Sequence, residues 1–176
     1  MLYISKKQGY FIIASILKEY FNFGHHGAYL FREFQLGNSY KVDYLLIGKN
    51  SGGWHFVFVE LEAVQGRITK EDGSLGEVFR MGLEQVSDWN RWLEAKYSAL
   101  RETFDKYKKL DSSLPDEFTQ LDTTRIHYVV VAGRRKDFKE RTYRIRRENQ
   151  KRSSGLLLHY DNLIDTAENI IGKSTY

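Results

Sequence analysis

Three acids set in an otherwise apolar stretch hold the chemistry of this sequence. Asp43, Glu60 and Glu62 lie within Tyr40 to Glu62, YKVDYLLIGKNSGGWHFVFVELE. A carboxylate buried without a partner costs several kcal/mol, so acids in such surroundings imply a shared cation, or water, at a strand end. Side chains alternate along a strand, so Glu60 and Glu62 point to the same side. Antiparallel pairing of the two apolar runs brings Asp43 alongside them. Three oxygen donors so arranged suit a hard divalent cation, Mg²⁺ or Mn²⁺, rather than a soft metal. Such an ion polarises a phosphodiester and lowers the pKa of an attacking water. The blander reading of the same residues is a set of sheet-end acids paired with lysine or arginine.

The elements that must position these acids follow from the patterning. Val42 and Tyr44 to Ile47 form one apolar run and Phe56 to Val59 a second, both continuous enough to predict strands covered on two faces. Lys49 to Gly53, KNSGG, between them reads as a hairpin turn. Before the hairpin, apolar residues at helical spacing from Tyr10 to Phe23 predict an opening helix over about residues 6–23, ended by Asn22-Phe23-Gly24. His25 and His26 follow in a Gly-flanked loop that reads as solvated. Ala28 to Leu36 is a short extended segment in which Glu33 is a solvated residue or a fourth acid near the site.

Beyond the hairpin, Ala63 to Leu75 is a polar loop able to sit beside the acids. Gly76 to Tyr97 predicts a long helix with Val78, Met81, Val86, Trp89 and Leu93 on one face, continuing through Leu100, Phe104 and Tyr107. Gln85, on that helix, is a candidate to orient water or a phosphate. The pattern stops at Leu110 to Pro115. Ile126 to Ala132 is a third strand, Phe138 to Gln150 an Arg-rich helix, Gly155 to Tyr160 a fourth strand, and Asp161 caps a last helix through Ile171. Strands connected through helices imply a mixed α/β sheet with helices on both faces, in one domain spanning 1–176.

Composition sets the remaining bounds. At 41% hydrophobic and 15% aromatic, 176 residues bury one sizeable core. There is no cysteine, which excludes disulfides, thiolate zinc sites and cysteine nucleophiles and fits a cytoplasmic protein. No run of about 18 apolar residues exists, so no transmembrane helix is expected, and the N-terminal stretch does not read as a signal peptide. A formal charge of +4 points only weakly to a polyanion. The basic residues are clustered, however: Arg134, Arg135 and Lys136 follow a strand end, and Arg144 and Arg147 lie on the next helix with Lys151 and Arg152 beyond. These suit phosphate contacts, although interspersed Glu140 and Glu148 also fit a solvated helix face.

The order and spacing of four blocks resemble a known family: FQLGNSYKVDYLLIG (Phe34 to Gly48), VFVELEAVQGRITKEDGSLGEVFRMGLEQVSDWNRWL (Val57 to Leu93), VVVAGRR (Val129 to Arg135) and LHYDNLI (Leu158 to Ile164). An Asp in a strand, a hairpin, a strand ending in Glu-x-acid and a helix with Gln-x-x-x-aromatic resemble the PD-(D/E)XK nuclease superfamily. The closer resemblance is to the C-terminal nuclease domain of the Shedu anti-phage defence family. It implies a restriction-endonuclease-like mixed sheet flanked by helices and a homo-oligomeric, metal-dependent DNA endonuclease acting on phage DNA. By resemblance Asp43 and Glu60 are metal ligands, and Gln85 with Trp89 occupies a Gln-x-x-x-Tyr element with Trp for Tyr. Glu62 stands where the superfamily usually has lysine, so it is a further ligand, a base, or the mark of a site that no longer hydrolyses. Tyr160-Asp161 is similar to a Tyr-Asp element of the family and receives no chemistry. Two other readings stay open: an inactive, nucleic-acid-binding pseudonuclease, and an oligomerisation or interaction domain in which Trp89 and Trp92 form an exposed aromatic face.

Overall fold

The sheet grows outward from the hairpin. In the computed structural model, which describes residues 6–109, 111–152 and 155–171, β2 (Tyr40–Asn50) and β3 (Gly53–Leu61) pair antiparallel from Tyr44↔Val59 to Asn50↔Gly53. Only Ser51 and Gly52 remain in the turn, tighter than the five residues read from the sequence. Asn50 Oδ1 accepts the Gly52 N–H at 2.8 Å, and Gly53 takes φ +115°, open to glycine alone at little cost. Residues 28–36, read as a short segment, belong to the ten-residue β1 (Gly27–Leu36), antiparallel to β2. On the other side β4 (Ile126–Val131) and β5 (Leu156–Leu158) join in parallel, giving a mixed sheet in the order β1-β2-β3-β4-β5.

Both faces are covered, as continuous apolar strands require. The even-numbered Phe56 and Phe58 of β3 face α2 (Glu77–Lys96), α3 (Leu100–Asp105) and the residues leading into α4 (Glu140–Lys151). The odd-numbered Val57 and Val59 face Ile13 and Ile16 of α1 (Lys6–Ile16) and Leu163 of α5 (Tyr160–Ile170). The opening helix does not run as one α-helix. After Ile16 it widens into a π-turn over Leu17–Phe21, closed by Asn22 in the left-handed conformation with its N–H on Leu17 O.

Two sequence expectations about the helices are corrected. On α2 the buried face is Phe79, Gly82, Val86, Trp89, Trp92 and Leu93, whereas Met81 is 49% exposed. Trp89 and Trp92 are core, at 0% and 7% exposure, so an exposed aromatic interface on this helix is ruled out. The cap of α5 is His159, whose Nδ1 accepts the Asn162 N–H at 3.1 Å. Asp161 is left free for other partners. Among the described residues no helix is long and apolar enough to cross a membrane.

Candidate functional site

A local break in strand alternation sets the position of Asp43. Leu45 and Ile47 face the α2 side, yet so does Val42, so the parity of β2 reverses between them. Opposite this point Glu33 has φ +51°, and Glu33 with Asp43 is missing from an otherwise continuous β1–β2 register. A non-glycine residue in the left-handed region turns the strand locally. Glu33 itself is solvated, within 3.8 Å of Arg32 and 4.0 Å of Lys41, and is not a fourth acid of the site. Past the Tyr44↔Val59 pair β2 leaves β3, and Asp43 Oδ2 takes over, accepting the Leu61 N–H at 2.8 Å. One carboxylate oxygen of Asp43 thus anchors the end of β3.

Glu60 and Glu62 follow on that same end. Glu60 is 7% exposed on the α2 face, and its side chain is hydrogen-bonded to Gln85 of α2. Burial, then the charges of Asp43 and Glu62, push its carboxyl up to about 8 despite the Gln85 bond. Glu62 is also raised, by burial and then by Asp43, and its Oε1 is buried with no hydrogen-bond partner. Among the described residues no lysine or arginine acts on either glutamate. The blander reading, sheet-end acids paired with basic residues, finds no such partner for Glu60 or Glu62 among the described residues.

The backbone of Glu62 is fixed from two sides. Its N–H donates to Val131 O at 2.9 Å and its carbonyl accepts the Tyr160 O–H at 2.6 Å. Burial and then Asp43 raise the Tyr160 hydroxyl, keeping it a donor. Tyr160 is the site residue that sequence reasoning left without a role, since nothing in its spacing shows that α5 returns to the end of β3. Gly82 is a second: a Cβ there would stand 2.5 Å from Val130 Cγ1 and 3.1 Å from Glu62 Cγ. Gly82→Ala is accordingly expected to destabilise the fold by about 1–3 kcal/mol, overpacking outweighing the gain in helix propensity. Thermal melting checks this; a raised Tm would mean that α2 does not press on Glu62.

The 63–75 loop beside the acids is anchored to α4. Thr69 Oγ1 meets Thr142 Oγ1 at 2.5 Å in the interior, Arg141 donates to the Asp72 carbonyl, and Ile68 is buried against Gly133. The basic residues after β4 lie at the same end of the sheet, but two of them are taken up internally. Arg134 grips Asp161 through Nε at 2.8 Å and Nη2 at 2.5 Å, and Arg135 reaches Asp165 while its backbone N–H also donates to Asp161. Lys136 and Arg147 are exposed, and Arg144 makes only a solvated pair with Glu148 at 3.0 Å. His25 and His26 stand exposed in their loop.

The structure thus brings Asp43, Glu60, Glu62 and Gln85 to one end of β3, at the carboxyl ends of the parallel strands where open α/β sheets receive ligands. Among the described residues no group of three or more His, Asp or Glu is close enough to hold a metal ion by itself. The donor chemistry nevertheless fits Mg²⁺, which is usually held by one or two carboxylates and completes its shell with water and phosphate. The unpartnered Glu62 oxygen and the uncompensated charge around it are what such an ion would satisfy.

Fold and site together define an α/β domain with a cluster of acids at its sheet end. The family model described as Shedu protein SduA, C-terminal, matches residues 7–164, and the chain belongs to that family, which ties it to anti-phage defence. Neither the curated proteins nor the solved structures contain a match to this chain.

Proposed function

We propose that the chain is a metal-dependent DNA endonuclease of the PD-(D/E)XK type, hydrolysing phosphodiester bonds of phage DNA in the cytoplasm as a homo-oligomer. The observation that supports it most is the cluster of mutually repelling acids, with Glu60 raised to about 8 and Glu62 Oε1 left without a partner. A structural acid cluster would hold compensating cations of its own, whereas a site for a charged ligand leaves them out.

When bound, Mg²⁺ or Mn²⁺ supplies charge stabilisation at the phosphate and an acidified water. Asp43 and Glu60 are the residues that would hold it, Asp43 through the oxygen not engaged by Leu61. Gln85 keeps Glu60 in one orientation through its hydrogen bond. Glu62 Oε1 is free to bind the same ion or to accept a proton from the attacking water. Lys136, Arg144 and Arg147 are the exposed cations available to DNA phosphates, while Arg134 and Arg135 brace α5 and reach DNA only by giving up their carboxylates.

Incubation of linear and supercoiled DNA with the protein tests the reading. Cutting with Mg²⁺ or Mn²⁺ and none with EDTA is the expected result. Retained cutting by Glu62→Lys would assign Glu62 the role of the usual lysine rather than that of an essential ligand. Glu62 in place of lysine also favours a second reading, a pseudonuclease. DNA binding without cutting under either metal would establish it.

A further inference from the structure

A cavity lies one to two helical turns along α2 from the acids. It holds about 360 Å³ between α2 and the carboxyl end of α4, with β4 as its floor. Leu83 and Val86 of α2 and the ring of Tyr128 supply apolar walls. The Tyr128 hydroxyl donates to Asn90 Oδ1 at 3.0 Å, and Asn90 Nδ2 in turn donates to Glu94 at 2.7 Å, so the ring is held in one orientation.

Three polar side chains on this rim are unspent. Ser87, Asn149 and Arg152 line the cavity, and within the described residues none makes a side-chain hydrogen bond or ion pair. A carboxamide offers two donors and two acceptor sites in a plane, a hydroxyl offers either role, and a guanidinium offers only donors to an anion. Among the described residues no carboxylate lines the cavity. The matching ligand has a flat apolar face, donors and acceptors along one edge, and a negative charge at one end. That is the description of a nucleotide. The volume is at the lower end for a ligand pocket, suited to one small molecule rather than a chain of them.

Distance links the cavity to the acids. Gly82 faces Glu62, whose Cγ a Cβ there would meet at 3.1 Å, and Val86 lies one turn further along α2 and Asn90 two, which is about 6 to 12 Å at 1.5 Å per residue. Along a stacked strand at about 3.4 Å per nucleotide this is two to four nucleotides. A base reaches such a cavity only when it is unpaired or extruded from a duplex.

We propose that the cavity between α2 and α4 is a subsite for one unpaired nucleotide, its base against Leu83, Val86 and Tyr128 and within reach of Asn149 and Ser87, its phosphate on Arg152. The nucleotide is either a unit of the DNA strand cut at the acids, in which case the subsite rests on the nuclease reading, or a free nucleotide.

Calorimetric titration of the full chain with each 2′-deoxynucleoside 5′-monophosphate, and anisotropy titration with a labelled single strand and its duplex in EDTA, test the proposal. The variants are Ser87→Leu, which fills the rim, and Asn149→Leu, which removes the edge contacts; melting curves verify that each is folded. One base held by stacking and edge contacts is worth about 1–3 kcal/mol, so each variant is expected to weaken binding by about five- to 150-fold. Loss for both the monophosphate and the single strand, with the duplex unchanged, assigns the cavity to the DNA strand. Loss for the monophosphate alone assigns it to a free nucleotide. Affinities equal to wild type in both folded variants overturn the subsite. Cleavage by wild type with unchanged affinities would sink the subsite and leave the nuclease reading. Monophosphate binding lost in the variants of a protein that never cuts would do the reverse.

Discussion

Glu60→Gln is expected to abolish metal-dependent cleavage while making the metal-free protein more stable above neutral pH. The activity loss follows from removing a charged oxygen donor at the centre of the acid cluster. Charge stabilisation by a bound metal is worth several kcal/mol, and about 4 kcal/mol corresponds to roughly a thousandfold in rate. Gel-based cleavage by purified wild type and variant measures it, and a variant within tenfold of wild type would remove Glu60 from the catalytic set.

The stability gain has the opposite sign because burial and the neighbouring carboxylates disfavour a charged Glu60 in the folded protein. Folding raises the Glu60 carboxyl from 4.5 to about 8, chiefly by burial and by Asp43. The folded state therefore holds a proton that the unfolded chain has released, and stability present below 4.5 is lost as pH rises towards about 8. Buried His127 works in the other direction at lower pH. Burial, then His55, pushes it down from 6.5 to about 4, so its contribution is present above 6.5 and is lost as pH falls. Between about pH 6.5 and 8 the Glu60 effect is thus read with little opposition from His127. In that window the Tm of the metal-free wild type should fall with pH, and the fall should shrink in Glu60→Gln. Equal slopes in the two proteins would show that the carboxyl is not raised. Added Mg²⁺ should restore the wild-type Tm, since a ligand that binds only the folded state stabilises it by mass action.

Trp89→Ala is expected to cost the fold about 3–5 kcal/mol. The indole is fully buried on α2 within the cluster that also holds Phe58, Phe79 and Leu93. Small domains are stable by only about 5–15 kcal/mol, so this loss is a third or more of the total in the typical case. Denaturant unfolding would show a lower midpoint with an unchanged slope. A loss under about 1 kcal/mol would mean that the indole leaves the core in solution and would reopen the interface reading for this helix.

The acids, the hairpin that carries them and the alternation of strands and helices were all legible in the sequence. The reason is physical: apolar runs at period 2 and 3.6 are set by which side chains must leave water, and a carboxylate amid such runs is costly enough to stand out. The family resemblance was legible for the same reason, since its blocks are these strands and the helix that faces them. Other features depend on partners far away in the chain. Met81 and Phe79 are both apolar on α2, and only the packing of the helix against the sheet shows that Phe79 turns inward while Met81 stays 49% exposed. Arg134 and Arg135 read as free cations until α5 brings Asp161 and Asp165 to them. Tyr160 had no role until the same helix carried its hydroxyl to the Glu62 carbonyl. The sequence by itself determined which apolar runs form the core strands and which acids are out of place among them. The tertiary structure alone decided which polar groups find partners, because a pairing across 27 or 98 residues leaves no periodic trace in the chain.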